Sequence, residues 1–310
     1  MIGIVFSRNR AVQLDGTLRS FLLNCQDPEE AQLNVIYKAT DSLYEQQYQQ
    51  LMHDYSEFNF IHFVKQMDFR QDLLGLLLEY TMGRPIGILN KSFLRLGAYF
   101  GPINKHVFAI NEPGYVLFLV DDNIFVRKFT LRDVRDALDV HRDAIGFSLR
   151  LGTNINYCYP LNRAQSIPAY SQLENHMLKF NWTASDCDFG YPLEVSSSVY
   201  RLDELFPLLC SLPFENPNQL EEKMAALAIR LRGIKPYLLC YDVSVAFCNP
   251  INIVQTVGEN RAGSSAEYSS ESLAKSFDQG SRIRVEEYKN FIPNACHQEV
   301  DLVFERRKLS

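Results

Sequence analysis

The sequence lacks the glycine-rich loops with which many nucleotide-dependent enzymes bind phosphate. Its first predicted strand, residues 2–6, runs into Ser7-Arg8-Asn9-Arg10, and the next glycine is Gly16. Neither G-x-G-x-x-G nor G-x-x-x-x-G-K-[ST] occurs, which argues against a dinucleotide-dependent dehydrogenase and a P-loop nucleotidase. The nucleophile motif G-x-S-x-G is also missing, so serine hydrolysis has no support.

Excess positive charge, paired cysteines and long apolar runs are missing as well. The formal net charge is −6, which argues against general nucleic-acid binding. The seven scattered cysteines form no C-x-x-C pair, which argues against a zinc site and favours reduced thiols in a cytoplasmic protein. The sequence predicts no signal peptide and no stretch of the ~18 apolar residues that span a bilayer. The basic segment 306–308 leaves open at most a peripheral contact with the inner membrane surface.

Strand and helix patterns alternate through the first part of the chain. This alternation predicts an α/β fold with a mostly parallel, doubly wound central sheet. The later part is richer in loops, above all over 157–198, and we expect a single domain over 1–310 with halves at 1–125 and 126–310. The predicted strands are 2–6, 33–37, 58–64, one ending at residue 121, 145–151, 237–240 and 243–247, and the predicted helices are 12–24, 43–55, 69–81, 91–100, 131–141, 217–230 and 272–279.

The most informative segment is YVLFLVDDN, from Tyr115 to Asn123. Its six apolar residues predict a buried strand, and Asp121 and Asp122 follow at the carboxyl end, where open α/β sheets bind ligands. Adjacent carboxylates repel each other unless a cation or several donors hold them. Their oxygens suit magnesium, manganese or calcium rather than zinc. A solvated turn or a helix N-cap is the alternative interpretation.

A series of motifs across nearly the whole chain resembles the GT-A glycosyltransferases, especially the large family-two group. Members of that group open with a strand, a T-Y-N-R-like turn and a helix with L-x-x-x-L-x-S-L, and their central strand ends in D-x-D. A glycine-containing acceptor loop, an acidic residue at a helix N-terminus and a late histidine follow. The matching segments are Ser7-Arg8-Asn9-Arg10 with Leu14, Leu18 and Ser20, then Asp121-Asp122-Asn123, Asp188-Phe189-Gly190-Tyr191-Pro192, Glu221 with Glu222, and His297.

The resemblance implies a GT-A-like fold with an acceptor-binding C-terminal half, and a nucleotide-sugar donor bound through Mn²⁺ or Mg²⁺. Asp122 is expected to ligate the metal, with Asp121 or Asn123 nearby. His297 is expected to complete the coordination or to donate to a phosphate oxygen. Such a metal stabilises the charge on a leaving nucleoside diphosphate. The expected acceptor is a hydroxyl of a glycan or glycolipid, and the expected course is inverting.

An inverting transfer needs a base for the acceptor hydroxyl, and Glu221 is the residue we expect. The sequence predicts a helix that starts at Pro217 with Asn216 as its N-cap. On this helix, Glu221 borders the apolar stripe, whereas Glu222 points towards solvent. The alternative is that both acids only complement the helix dipole. Glu215 and Asp188 are alternative bases.

Side chains at the ends of the first three predicted strands are expected to bind the donor. Phe69 would stack on the base, although core packing for Phe69 and a solvated role for Arg70 are open alternatives. Arg261 lies in a polar segment that could close over the diphosphate and exclude water. The expected donor-binding residues are Ser7, Arg8, Asn9, Lys38, Thr40, Phe69, Arg70, Asp121 and Arg261, and the expected acceptor-binding residues are Asp188, Gly190 and Tyr191.

Two other functions stay open at this point. A sugar-nucleotide pyrophosphorylase-like enzyme uses a related sheet, but the glycine-rich, arginine-containing loop of those enzymes is missing after the first strand. A non-catalytic nucleotide- or glycan-binding protein is the other alternative, because D-D-N matches D-x-D only loosely.

Overall fold

A computed structural model describes residues 1–82, 114–253, 261–263 and 265–307. The helix predicted over 91–100 lies outside these ranges. The strands are β1 Ile2–Arg8, β2 Gln32–Lys38, β3 Ile61–Lys65, β4 Tyr115–Val120, β5 Asn123–Phe125, β6 Ala144–Ser148, β7 Tyr157–Cys158, β8 Arg163–Ala164, β9 Tyr170–Gln172, β10 Met177–Asn181, β11 Ser197–Arg201, β12 Tyr237–Tyr241, β13 Ala246–Cys248, β14 Ser281–Ile283 and β15 Phe304–Arg306. The α-helices are α1 Ala11–Asn24, α2 Ser42–Asp54, α3 Phe69–Met82, α4 Leu131–Val140, α5 Leu202–Ser211, α6 Pro217–Leu231 and α7 Ser270–Asp278.

Nine strands form one central sheet in the order β3-β2-β1-β4-β11-β6-β12-β10-β9. The first four are parallel neighbours, and β12 is parallel to β6. Only β11 and β10 pair antiparallel with both of their neighbours, so seven of the nine strands run in one direction. The predicted α/β class with a mostly parallel sheet is confirmed, and strands from both predicted halves join this sheet.

Each face of the sheet carries its own apolar core, because successive side chains of a strand point to opposite faces. In β4, Leu117 and Leu119 join one core, while Val116 and Phe118 join the other. Helices α1, α2, α4 and α7 cover the first core, and α3, α5 and α6 cover the second. The helices on both faces confirm the predicted doubly wound arrangement.

Helix α5 and the strands of the later part are the main differences from the predicted elements. Pro207 lies inside α5, and an internal proline ordinarily indicates the end of a helix. Leu202, Leu205 and Leu209 are nevertheless buried at helical spacing, so tertiary packing stabilises the helix around the proline. Strands β7 to β10 fall within 157–198, which the composition predicts to be loops, and β10 pairs with β12 at the far side of the sheet.

Candidate active site

A cavity of about 720 Å³ opens where the carboxyl ends of β1 and β4 meet loops from the later half of the chain. Ligands of open α/β sheets bind at this edge. The fold therefore brings donor-side and acceptor-side candidates to one cavity. Those that line it are Ser7, Arg8, Lys38, Phe69, Asp121, Asp122, Asp188, Tyr191, Glu221, Arg261 and His297.

One charged cluster at this edge, the Arg10 cluster, consists of Arg10, Asp121 and Asp122. The Nη1 of Arg10 lies 3.1 Å from Oδ1 of Asp121 and 3.5 Å from Oδ2 of Asp122. The backbone N–H of Arg8 donates to the other Asp121 oxygen at 3.2 Å. Oδ1 of Asp122 is buried and has no hydrogen-bond partner among the described residues. One guanidinium thus faces two carboxylates, and burial raises the pKa of Asp122 to about 6 although Arg10 opposes the shift.

The free oxygen of Asp122 fits a divalent cation. Mg²⁺ is commonly held by one or two carboxylates together with substrate phosphates, so a complete cage of protein ligands is not required. The described residues contain no group of three or more His, Cys, Asp or Glu side chains that could hold a metal. A cation here would therefore use Asp122 and oxygens of the bound substrate.

Asn123, which the sequence predicts as a metal neighbour, is turned away from the cavity. Its side chain is fully buried, and its Oδ1 accepts from the backbone N–H of Val120 at 2.8 Å. Its Nδ2 lies 3.2 Å from the sulfur of Cys248. Because both amide atoms hold the turn after β4, a metal role for Asn123 does not fit this placement.

A second charged cluster, the Arg150 cluster, consists of Arg150, Glu194, Cys248 and His297. The Nη2 of Arg150 donates to Glu194 at 2.9 Å, and both side chains are buried. Its Nη1 lies 3.2 Å from the sulfur of Cys248 and 3.1 Å from Nε2 of His297. Glu194 also accepts from the backbone N–H of Ser197 at 3.2 Å. Here one cation faces one carboxylate, so the cluster is balanced.

Sequence patterns did not point to Arg10, Arg150 or Glu194 individually. Arg10 belongs to the turn after β1, so the sequence predicts its location in the fold but not the residues that it contacts. Arg150 follows the alternating strand β6, and Glu194 lies in a loop-rich segment far away in sequence. Only the three-dimensional fold brings them together at 2.9 Å.

His297 and the other members of the Arg150 cluster all line the cavity. Burial lowers the pKa of His297 to about 3, and the charge of Arg150 acts in the same direction, so the ring is neutral at physiological pH. Its Nδ1 is buried without a partner among the described residues. Cys248 lies between the two clusters: its sulfur accepts from Arg150, and the nearby charge of Asp122 adds to the effect of burial in raising the pKa of its thiol.

Glu221 lies on the first turn of α6, at the other side of the cavity. Asn216 caps this helix by accepting from the backbone N–H of Gln219 at 3.0 Å, as its sequence predicts. A carboxylate oxygen of Glu221 accepts from the backbone N–H of Val195 at 3.0 Å. Burial and the nearby charge of Glu221 raise the pKa of the Tyr191 hydroxyl, which therefore stays protonated beside the carboxylate. Burial, helped by the charge of Glu194, raises the pKa of Glu221. The predicted orientation is confirmed: Glu221 borders the buried face, whereas the next residue, Glu222, is exposed.

Asp188 and Arg261 are held at the cavity by local contacts. Gln165 donates to the Asp188 carboxylate at 2.8 Å and accepts from its backbone N–H at 3.0 Å. Burial raises the pKa of Asp188. The guanidinium of Arg261 lies 4.2 Å from the centre of the Tyr159 ring and donates to Asn162 at 2.8 Å.

Phe69 and Arg70 serve the core rather than an open binding surface. Phe69 lines the cavity, but it is only 3% exposed and its ring centre lies 5.3 Å from that of Phe6 in the core. Arg70 donates to the carbonyls of Cys210 and Leu212 at 2.7 and 2.9 Å. These contacts favour the core-packing alternative for Phe69, and they correct the expectation that Arg70 either binds the donor or is solvated.

Asn9, Thr40 and Gly190, like Arg70, are not among the residues that line the cavity. Asn9 adopts a left-handed φ of 54°, which asparagine tolerates, and its side chain bonds both Thr40 Oγ1 at 2.8 Å and the Thr40 N–H at 3.0 Å. These two bonds link the turn after β1 to the segment that follows β2. At Gly190, a Cβ would meet the Ser185 carbonyl oxygen at 2.7 Å, so the loop needs glycine for close packing.

None of the helices within the described ranges is long and apolar enough to cross a membrane. In the basic C-terminal segment, Arg307 pairs with Asp54 and Arg306 donates to the carbonyl of Gln279. These internal contacts occupy two of the three basic residues that the sequence offers to a membrane surface.

Comparisons with known proteins point to one class. No family model matches the chain. A curated protein of Dictyostelium discoideum, Bifunctional glycosyltransferase pgtA, is 26% identical over 283 residues, covering 83% of this chain and 32% of that protein. The chain thus spans about a third of the length of this relative. The resemblance to glycosyltransferases that the sequence predicts is confirmed by this similarity.

Solved structures of glycosyltransferases overlap with most of the chain. S. aureus TarS in complex with UDP-GlcNAc gives a TM-score of 0.43 at 16% identity, covering 84% of this chain and 60% of that chain. Mouse xyloside xylosyltransferase 1 gives 0.32 at 11% identity, covering 76% and 74%. Both scores lie below 0.5, so the description of the fold rests on the sheet and helices given above.

Proposed function

We propose that the chain transfers a sugar from a nucleotide-sugar donor to a hydroxyl of a glycan or glycolipid, with inversion. The observation that carries this proposal is that two carboxylates suited to different roles, Asp122 and Glu221, line the same cavity. Asp122 has an oxygen free for a cation, and Glu221 has a raised pKa suited to a base. The first serves the leaving diphosphate, and the second serves the attacking hydroxyl. The likeness to a curated glycosyltransferase supports the same class.

On the donor side, Oδ1 of Asp122 would hold Mn²⁺ or Mg²⁺ together with oxygens of the diphosphate. When bound, the cation supplies Lewis-acid stabilisation of the charge that develops on the leaving group. Arg8, Lys38 and Arg261 line the same cavity and add positive charge around the anionic donor. Asp121 stays bound to Arg10 and to the backbone of Arg8, so it positions the guanidinium rather than the donor.

On the acceptor side, Glu221 would take the proton of the attacking hydroxyl. A raised pKa makes its carboxylate a stronger base, and the hydrogen bond from the Val195 N–H holds its orientation. Asp188, held by Gln165, can accept a hydrogen bond from another acceptor hydroxyl. The exposed part of the Tyr191 ring can pack against a sugar face.

Thermal stability against a panel of nucleotide sugars, with and without Mn²⁺, tests this proposal. A ligand that binds only the folded state raises the melting temperature by mass action. We expect a metal-dependent increase with one donor, lost in Asp122→Asn, and release of free nucleoside diphosphate from that donor. Binding without any release would favour a non-catalytic binding protein. No increase with any donor would overturn the proposal.

A further inference from the structure

The contact between Arg150 and His297 fixes which imidazole nitrogen carries the proton. An arginine guanidinium is always charged and has only donors. Its Nη1 lies 3.1 Å from Nε2 of His297, so Nε2 must be the accepting nitrogen. In a neutral imidazole one nitrogen accepts and the other carries hydrogen. The proton of His297 therefore resides on Nδ1.

This tautomer leaves His297 with an N–H group, and not a lone pair, as its unpartnered ring position among the described residues. Nδ1 is buried and has no hydrogen-bond partner among the described residues, which is costly unless an acceptor arrives. His297 lines the cavity together with Cys248 and Asp122, and the charge of Asp122 acts on the Cys248 thiol. An anionic oxygen of a ligand bound near Asp122 is the acceptor that this arrangement fits.

We propose that His297 donates its Nδ1–H to a phosphate oxygen of the donor's diphosphate and does not ligate the metal, with Arg150 acting as the positioning residue that sets the tautomer. The inference rests on the proposed function, because it assigns the diphosphate of that donor. It decides between the two roles for His297 that the sequence leaves open. Metal ligation through Nδ1 would require a lone pair that the Arg150 contact removes.

Two substitutions of His297 separate a donor from a ligand. In His297→Asn, the side-chain NH₂ lies close to the position of Nδ1 and can still donate. In His297→Asp, the carboxylate can ligate a metal but cannot donate, and it repels an anion. Inorganic pyrophosphate, titrated calorimetrically with Mg²⁺ or with a chelator, is the probe, because it carries the phosphates that all the candidate donors share.

We expect His297→Asn to bind pyrophosphate within about threefold of the wild type and His297→Asp to bind at least about tenfold more loosely, since hydrogen bonds to charged groups are worth that much. The ratio between the pyrophosphate affinities of the two variants should stay the same when a chelator replaces Mg²⁺. The reverse order in Mg²⁺, with His297→Asp close to the wild type, would overturn the inference while leaving the proposed function intact. No pyrophosphate binding by the wild type in either condition would overturn both.

A spectroscopic measurement tests the tautomer without any ligand. In the protein labelled with ¹⁵N-histidine, two-bond ¹H–¹⁵N correlations distinguish the Nδ1–H from the Nε2–H form, and His297→Asn assigns the signal among the six histidines. We expect the Nδ1–H form at neutral pH and a downfield shift of that proton when pyrophosphate is added. An Nε2–H form, or an Nδ1–H signal that pyrophosphate leaves unmoved, would contradict the inference.

Discussion

Two buried arginines serve the same cavity, and they differ in how their charge is balanced. Arg10 faces both Asp121 and Asp122, and one Asp122 oxygen has no partner among the described residues. Arg150 faces a single carboxylate, Glu194, which further donors also hold. The first cluster therefore carries surplus negative charge that a cation can neutralise. The second is balanced and can act as a rigid support.

The largest effect on sugar transfer is expected from a substitution at Asp122, which carries the surplus negative charge of the Arg10 cluster. Asp122→Asn removes the free carboxylate oxygen while keeping the size of the side chain, and we expect sugar transfer to fall by roughly a thousandfold or more, as for a lost Lewis acid. Asp121→Asn is the matched control, because both Asp121 oxygens are already bonded. Rates of transfer and melting temperatures of both variants are the measurements. Equal loss in the two variants would contradict the distinction between these neighbours.

The next effect concerns the proposed base. Glu221→Gln should lower kcat by about a hundredfold or more, the contribution of a general base, with little change in donor affinity. Because the pKa of Glu221 is raised, activity should fall as the pH drops through a value above the ordinary glutamate range. The pH profile of kcat/KM should lose this acidic limb in the variant. The exposed neighbour Glu222→Gln serves as the control and should behave like the wild type.

The two arginines should respond differently to removal. Arg150→Met leaves Glu194 buried without its partner, which costs about 3–5 kcal/mol of unfolding free energy. Arg10→Met also destabilises the fold, but it exposes two carboxylates to each other, and Mn²⁺ can replace the lost charge. Urea unfolding with and without Mn²⁺ should therefore show rescue of Arg10→Met alone. If Mn²⁺ restored the stability of both variants, or of neither, the proposed difference in charge balance between the Arg10 and Arg150 clusters would be contradicted.

A smaller effect is expected from pH on cation binding. Burial raises the pKa of Asp122 to about 6, so a proton competes with the cation below that pH. Mn²⁺ affinity should fall about tenfold per pH unit below 6 and level off above it. Without a cation, the free energy of unfolding changes with pH in the opposite direction to the cation affinity. Because the folded state binds the Asp122 proton more tightly than the unfolded state, stability decreases as the pH rises from about 4 to about 6. Calorimetric Mn²⁺ titrations at pH 5 and 7 measure the first effect, and affinity independent of pH would contradict it.

The smallest effect is expected at the turn after β1. Thr40→Val removes the acceptor of an exposed bond from Asn9, and we expect a cost of about 1 kcal/mol or less. Donor affinity should change little, because Thr40 lies outside the cavity lining. A large loss of affinity would restore the donor-binding role that the sequence predicts for Thr40. Chemical denaturation and donor titration measure the two effects.

The two clusters also differ in how far the sequence predicts them. Asp121 and Asp122 follow an uninterrupted apolar strand, and Ser7 to Arg10 follow another, so the rule for carboxyl ends of parallel strands places both at one edge. Glu221 is placed by helical periodicity and the Asn216 cap. Each of these inferences needs only local pattern, and the structure brings the residues to one cavity.

The Arg150 cluster depends on pairings that local pattern does not encode. Arg150 follows β6 and Glu194 precedes β11, so they meet because β11 inserts antiparallel between β4 and β6. His297 joins them through its bridge with Cys248. Composition likewise does not distinguish Arg70, which binds backbone carbonyls, from an arginine that faces a ligand. Sequence periodicity predicts on which face of a helix or strand a residue lies, but the residues that this face contacts depend on the tertiary fold.

The most direct test of the central claim is release of nucleoside diphosphate from a panel of nucleotide sugars, followed by mass spectrometry with Mn²⁺ or chelator. The account predicts release from at least one donor by the wild type in Mn²⁺, a large loss of release in Asp122→Asn, and normal release in Glu222→Gln. Release that is unaffected by both chelator and Asp122→Asn would contradict the assignment of the Arg10 cluster as the cation site. No release from any donor would contradict the proposed transfer itself.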